Sequence, residues 1–229
     1  MTINHTKDST RYPDLRGKTA VVTGSSSGIG EAIARHMGSE AMNVVINYIN
    51  ADEKVIDGLI YLIEQSGGRA VGIRADVGTE AGVQAIYDKA IEAFGDIDVW
   101  VNNAGFEIQS ETHETSYEDW QRVLHVDLDG VFLGTKIAVQ HFLKHNKKGN
   151  ILNTSSIHDI IPWPTYASYA TAKAGVLMFT KTTALEYAER GIRINAISPG
   201  ALETPINAQR FADPAVRADT EGMIPMKKV

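Results

Sequence analysis

A regular alternation of short apolar runs with stretches of helical periodicity constrains this chain most. Thr19–Thr23, Asn43–Tyr48, Ala70–Val77, Ile97–Asn103, Asn150–Ser156 and Ile192–Ser198 read as strands of four to eight residues. Between them, Gly28–Ser39 puts Ile29, Ile33 and Met37 on one helix face. Asp52–Gln65, Glu80–Phe94 and Ser168–Arg190 read as further helices, and Trp120–Gly130 with Val131–His145 as one long, bent helix. Strands that alternate with helices imply one parallel sheet covered on both faces, with right-handed crossovers. Ligands of such sheets sit outside the carboxyl ends of the strands. The loop Asp159–Thr165, which carries prolines, enlarges the fifth of those connections.

Composition narrows the function classes. The 229 residues carry 22 Lys and Arg against 28 Asp and Glu, a net charge of −6, and 43% are hydrophobic. That is enough apolar material for a large core without metal or disulfide. With no cysteine, the chain has no thiol nucleophile, no thiolate metal site and no disulfide, which fits a reducing compartment, the cytoplasm. An acidic chain without a basic run is a poor nucleic-acid or membrane-surface binder. No apolar run approaches the roughly 20 residues that span a bilayer. Residues 1–18 are polar, lack the apolar core of a signal peptide and read as a flexible arm. Residues 19–229 read as one domain.

The turn after the first strand, Thr23-Gly24-Ser25-Ser26-Ser27-Gly28-Ile29-Gly30, suits a phosphate group. Glycine at 24 permits a sharp turn, glycine at 28 lets backbone approach a diphosphate, and Gly30 lets the helix pack closely on the sheet. Amides at the helix start then face the anion.

Four motifs carry a resemblance. Thr23–Gly30 resembles the TGxxxGxG loop of the short-chain dehydrogenase/reductase family, and Asn102-Asn103-Ala104-Gly105 its NNAG motif. Tyr169–Lys173 resembles its YxxxK motif, and Pro199-Gly200 its PG turn. They occur in the family's order and span nearly all of residues 15–228. The resemblance implies a Rossmann-type doubly wound sheet of strand order 3-2-1-4-5-6. It implies NAD or NADP as cofactor and a homo-oligomer, dimer or tetramer. The stretch Ser155–Met226 is similar to glucose 1-dehydrogenases within that family. The implied reaction is oxidation of a sugar, D-glucose at C1 to gluconolactone. Another sugar or secondary-alcohol dehydrogenase, or a non-catalytic nucleotide-binding member, is the alternative. The family's chains continue past Met226 into a seventh strand, so the resemblance implies a truncated end here, with the sixth strand at the sheet edge.

Tyr169 and Lys173 are i, i+4 on one helix and share a face. Oxidation of an alcohol needs a base for the hydroxyl proton. A free tyrosine, with pKa about 10, is a poor one, and a nearby ammonium favours its phenolate. The expectation is a lowered Tyr169 pKa. Ser156, at the end of the fifth strand, is placed to hold the substrate oxygen, and Ser155 is its competitor. By resemblance, Tyr169 is acid and base, Lys173 tunes it and holds the nicotinamide ribose, and Ser156 positions the substrate. Asp127 stands where the family has Asn. Ionised, it accepts hydrogen bonds but donates none. It either pairs with Lys173 and weakens its pull on Tyr169, or does the same structural job.

For the cofactor, resemblance adds Ser26, Ser27, Ile29, Tyr48, Asp76, Val77, Asn103, Ala104, Gly105, Pro199, Gly200 and Thr204 to Gly24, Gly28 and Gly30. Asn47-Tyr48-Ile49-Asn50 holds neither an acid for a ribose diol nor an Arg for a 2′-phosphate. With Arg35 read as solvent-facing, this leans to NAD. Glu107 and His158 are expected to point into the cleft and hydrogen-bond sugar hydroxyls, or to be exposed loop residues. Trp163 and Tyr166 either wall the cleft or pack in the loop. His141 and His145 have the i, i+4 spacing of zinc sites but no third ligand, and read as surface residues, with no metal expected. Gly134 reads as a helix-packing position.

Overall fold

The computed structural model describes residues 11–229. Six parallel strands, β1 (Thr19–Val22), β2 (Asn43–Tyr48), β3 (Arg69–Arg74), β4 (Val99–Asn102), β5 (Gly149–Thr154) and β6 (Ile192–Ile197), form one sheet. Their order is β3-β2-β1-β4-β5-β6, the expected doubly wound arrangement, with β6 at one edge. β1 is buried along its whole length, as a strand covered on both faces must be.

Strand alternation divides the core into two layers. Val21, Val45 and Trp100 point to one face, against Val83 and Ile86 of α3 (Glu80–Phe94) and Phe142 of α5 (Gly130–Lys144). Ala20, Val22, Val44 and Val101 point to the other, against Ala34 of α1 (Gly28–Ser39) and Ile56, Leu59 and Ile63 of α2 (Glu53–Gln65). Asp52 caps α2 through the Lys54 amide, and Thr79 caps α3 through that of Gly82.

A polar chain crosses the buried sheet near the future site. Trp100 Nε1 donates to Asn102 Oδ1 at 2.8 Å, and Asn102 Nδ2 donates to Thr135 Oγ1 at 3.1 Å and to Asn153 Oδ1 at 2.9 Å. Asn153 Nδ2 in turn donates to Thr180 Oγ1 at 2.8 Å, on α6 (Ala167–Tyr187). Each buried amide is thereby satisfied.

The long bent helix resolves into α4 (Tyr117–Leu124), a wide turn over His125–Asp129, and α5. There the Gly130 amide reaches back to the His125 carbonyl. Such i→i+5 turns re-aim side chains and recur at functional sites. Here the turn carries Asp127, which is completely buried.

Several expectations need correction. Tyr12–Lys18, placed in the arm, are docked: Tyr12 N donates to Glu40 Oε2 at 2.8 Å, Gly17 N to Ala41 O at 2.9 Å, and Asn43 N to Lys18 O at 2.8 Å. The first ten residues of the expected arm lie outside the described residues. β3 stops at Arg74, because its pairing with β2 ends at Tyr48↔Arg74. β4 starts at Val99, because Asp98 is engaged with the start of β1: its carboxylate accepts from Thr19 N at 2.9 Å. His141 is buried, not on the surface. Its Nε2 lies 2.8 Å from Asp96 Oδ1 and its Nδ1 3.2 Å from the Tyr87 hydroxyl, so it pins α5 to the sheet rim opposite the site. His145 is exposed, as expected. After β6, two helices were not read from the sequence: α7 (Pro205–Phe211) and α8 (Pro214–Met223), each with proline in its first turn.

A β-carbon at Gly134 would lie 2.1 Å from Asn102 Oδ1 and 2.6 Å from Trp100 Nε1. Gly134→Ala is therefore expected to break the Trp100–Asn102 hydrogen bond and destabilise the fold by about 1–3 kcal/mol. Urea unfolding of the two proteins measures this, and equal midpoints would refute it.

Candidate active site

The carboxyl ends of β1, β2, β4 and β5 open into one cavity of about 1220 Å³. Every residue named above as a candidate for catalysis, cofactor or substrate contact lines it, and so does Trp163. Tyr166 is buried behind that wall, and Arg35 is exposed, 3.5 Å from Glu31.

At one end lies the glycine turn. Gly24 has φ +58°, and a β-carbon there would sit 2.7 Å from Ala104 Cα. A β-carbon on Gly30 would sit 2.4 Å from Gly24 O and 2.5 Å from Asn103 Nδ2. Only glycine permits that approach. Asn103 is the brace: its Nδ2 donates to Thr23 O at 3.0 Å and Gly24 O at 3.2 Å, while Thr23 Oγ1 accepts from the Asn103 and Ala104 amides. The Asn103 amide nitrogen is thus spent on shaping the turn. Asn47 braces it from the other side, with its Oδ1 accepting from Gly24 N at 3.2 Å. Ser27, the N-cap of α1, makes no side-chain cap. The first-turn amides of α1 are therefore left for a ligand, and with the cavity above them they fit a dinucleotide's diphosphate. On the β2–β3 side of the cavity, Asp76 Oδ1 accepts from Gly78 N at 2.9 Å. The Arg74 guanidinium stands over the Tyr48 ring at 5.4 Å and donates to Ala51 O. It does not line the cavity.

At the other end, α6 brings Tyr169 and Lys173 to the tip of β5. Lys173 is 3% exposed. Its Nζ donates to Thr154 O at 3.1 Å, stands 3.0 Å from Asp127 Oδ2 and lies 5.4 Å from the Tyr169 ring centre. Asp127 Oδ1 accepts from Phe106 N at 2.9 Å, while Oδ2 makes an ionic contact only, without a directed hydrogen bond. Ser156 stands close enough to the Tyr169 hydroxyl to lower its pKa, and its Oγ accepts from His158 N at 3.2 Å. Ser155 is committed elsewhere, donating to Lys173 O at 3.1 Å and Asp159 Oδ2 at 2.8 Å.

The expected lowering of the Tyr169 pKa is not what this arrangement yields. Burial raises it above the ordinary 10.0, while Lys173 and Ser156 pull it down and Asp127 and Glu107 push it further up. Burial disfavours the phenolate, and the Lys173 charge is shared with the Asp127 carboxylate. Burial also raises Asp127 against the pull of Lys173. Lys173 itself is raised: burial alone would lower it, but the attraction of Asp127 and Tyr169 outweighs that.

Toward the cavity mouth, His158 Nδ1 lies 2.9 Å from Ile161 O, and its ring meets Trp163 edge-on at 4.6 Å. Glu107 is half-buried, and burial raises its pKa. Arg210, which the sequence reading missed, stacks on Trp163 at 4.5 Å from α7. No motif marks it. Only the return of α7 over the cleft brings it there.

This geometry agrees with the comparisons. A short chain dehydrogenase profile matches residues 18–215. The chain belongs to that family and is, on that ground, an NAD(P)-dependent oxidoreductase. It is 55% identical over 215 residues to 3beta-hydroxysteroid dehydrogenase 1 of Eggerthella lenta, covering 94% of this chain and 82% of that one. It is 50% identical over 217 residues to glucose 1-dehydrogenase 2 of Bacillus subtilis, covering 94% and 83%. A crystal structure from Sinorhizobium meliloti 1021, assigned as a short-chain alcohol dehydrogenase, superposes with TM-score 0.87 at 30% identity, covering 93% and 83%. Among the described residues there is no cluster suited to a metal, and no helix is long and apolar enough to cross a membrane.

Because Asp127 pushes the Tyr169 pKa up, its neutralisation should bring that pKa down. Oxidation needs the phenolate, so activity rises as pH climbs through this pKa. With Lys173 still held by the Thr154 carbonyl at 3.1 Å and an amide oxygen in place of the carboxylate, Asp127→Asn should shift the rising limb to lower pH and raise kcat at pH about 8. Profiles of kcat against pH measure it; an unshifted limb would contradict the coupling.

Proposed function

We propose that this chain oxidises a secondary hydroxyl by hydride transfer to NAD or NADP, with Tyr169 as the proton acceptor. One observation carries this: Ser156, Tyr169 and Lys173 converge at one end of a single cavity whose other end is the uncapped N-terminus of α1. The Ser26–Gly30 amides would hold the diphosphate, and Tyr48, Asp76 and Val77 the adenosine. Asn103, Ala104, Gly105, Pro199, Gly200, Thr204 and Lys173 would enclose the nicotinamide riboside. When bound, the nicotinamide supplies the hydride acceptor. Ser156 holds the substrate oxygen and fixes the carbinol. Tyr169 takes the hydroxyl proton, and Lys173 stabilises the phenolate form that does so. Asp127 keeps Lys173 ionised and in place. Run backwards, Tyr169 donates the same proton to a carbonyl.

For the substrate, the reading favoured here is a sugar, D-glucose oxidised at C1 to gluconolactone. The polar Glu107 and His158 lining the cleft support it, together with the identity to glucose 1-dehydrogenase 2. A steroid alcohol is the second reading. The apolar lining of Phe106, Ile157, Trp163 and Leu202 favours it, as does the 55% identity to a hydroxysteroid dehydrogenase. NAD is the favoured cofactor, because Asn47-Tyr48-Ile49-Asn50 at the end of β2 holds no Arg or Lys to pair with a 2′-phosphate. We place the protein in the cytoplasm as a homo-oligomer, joined through the apolar side chains that α5 and α6 expose: Phe132, Met178 and Leu185. Light scattering of Leu185→Glu should then show a smaller particle than the parent; an unchanged mass would argue against that face.

Tyr169→Phe should reduce turnover by at least about a thousandfold while binding of reduced cofactor, followed by its fluorescence, is kept. Parent and variant are to be assayed with D-glucose and a 3β-hydroxysteroid against both cofactors. Near-parental turnover in the variant would remove Tyr169 from the chemistry.

A further inference from the structure

Past their last ladder pair, Thr154↔Ile197, β5 and β6 run on into two segments that both line the cavity. One carries Ser156 and His158, the other Pro199 and Gly200. Two backbone bonds join them there: Ser155 N donates to Ile197 O at 2.7 Å and Ile157 N to Pro199 O at 3.0 Å. Two such bonds leave a rotation about the line through them. A carboxylate that the proton transfer does not use adds a third tie. Asp159 Oδ2 accepts from Ser155 Oγ at 2.8 Å and from Ser198 Oγ at 2.6 Å, both short, as hydroxyl–carboxylate bonds are. Ser155 belongs to one segment and Ser198 to the other, so one oxygen bridges both. Asp159 N also donates to Ser156 O at 2.9 Å. Ser155 shares its hydrogen with Lys173 O at 3.1 Å, which extends the tie to α6, the helix of Tyr169.

We propose that Asp159 is a positioning residue. Through Ser155 and Ser198 it sets the separation of the Ser156 segment, where the carbinol would lie, from the Pro199-Gly200 segment, where the nicotinamide would lie. Hydride transfer is steep in that separation: a misplacement of about 1 Å can cost about a hundredfold in rate. Asp159 does not itself line the cavity, so it acts through the two hydroxyls. An amide oxygen at this position accepts the same two hydrogens, whereas a methyl accepts neither. The inference rests on the dehydrogenase reading above and deepens it.

The test compares the parent with Asp159→Ala, Asp159→Asn, Ser198→Ala and the double variant Asp159→Ala/Ser198→Ala, on whichever of D-glucose and the 3β-hydroxysteroid the parent oxidises. Asp159→Ala should lower kcat by at least about tenfold while KM stays within about threefold, because every group that meets the alcohol is kept. Asp159→Asn should recover most of that loss. Ser198→Ala should cost about tenfold alone and nothing further in the Asp159→Ala background, since both changes break one tie. Apart from turnover, NADH is titrated into each protein and its emission followed. At saturation the bound reduced nicotinamide should emit less in Asp159→Ala than in the parent, and Asp159→Asn should restore it. Should Asp159→Ala fail to fold, Ser198→Ala, at an exposed position, carries the same expectations for kcat, KM and emission. Parental kcat or parental emission in Asp159→Ala, equal loss in the Ala and Asn variants, or additive losses at 159 and 198 would overturn the proposal. A parent that binds NADH but oxidises no alcohol, with emission lost in Asp159→Ala and restored in Asp159→Asn, would uphold the tie and sink the dehydrogenase reading instead.

Discussion

The Lys173 ammonium is a full charge almost out of contact with water, and the site is arranged around keeping it there. Such a charge is tolerated only when it is paired and hydrogen-bonded. Asp127 at 3.0 Å and the Thr154 carbonyl at 3.1 Å supply those partners. Removing one partner of a buried pair typically costs about 3–5 kcal/mol, because the other charge is left behind. The fold delivers the partners from three elements. α6 carries the lysine, the end of β5 carries the carbonyl, and the wide turn between α4 and α5 carries the carboxylate. If that turn were a regular helix, Asp127 would point elsewhere. An irregularity in a helix and a charge in a cleft are therefore two aspects of one arrangement.

The same arrangement sets a conflict. The lysine stabilises a phenolate, the carboxylate that holds the lysine opposes it, and burial opposes it further. The ammonium therefore acts on Tyr169 as half of an ion pair, not as a free charge. Asp127 also accepts from the Phe106 amide at 2.9 Å, one residue from Glu107. The residue that anchors the lysine thus also fixes the segment that carries Glu107, a carboxylate on the cavity wall.

Much of this was legible in the sequence, for identifiable reasons. Strands with consecutive apolar residues, such as Ala20–Val22, must be covered on both faces, and that requires a parallel sheet with helices on either side. Gly24 and Gly30 mark close approaches that any β-carbon would prevent. Tyr169 and Lys173 share a helix face by spacing alone. What was not legible depends on distance in the chain or on competing terms. His141 looked like a surface residue because nothing local reveals that Asp96 and Tyr87 will enclose it. The Tyr169 pKa was misjudged because spacing shows the lysine but not the burial. Arg210 was invisible because its partner Trp163 lies on a different loop. Asn103 was read as a cofactor contact, and its amide nitrogen turns out to shape the glycine turn.

The central claim is that the carbinol of a substrate lies at Tyr169 and loses hydrogen directly to a nicotinamide. The most direct measurement follows that hydrogen. An alcohol carrying deuterium at the carbinol carbon is oxidised in ordinary water, and the reduced cofactor is examined by mass spectrometry. The account predicts one deuterium per reduced nicotinamide, with turnover slower than for the unlabelled alcohol. Reduced cofactor free of deuterium, or label released to water, would contradict it.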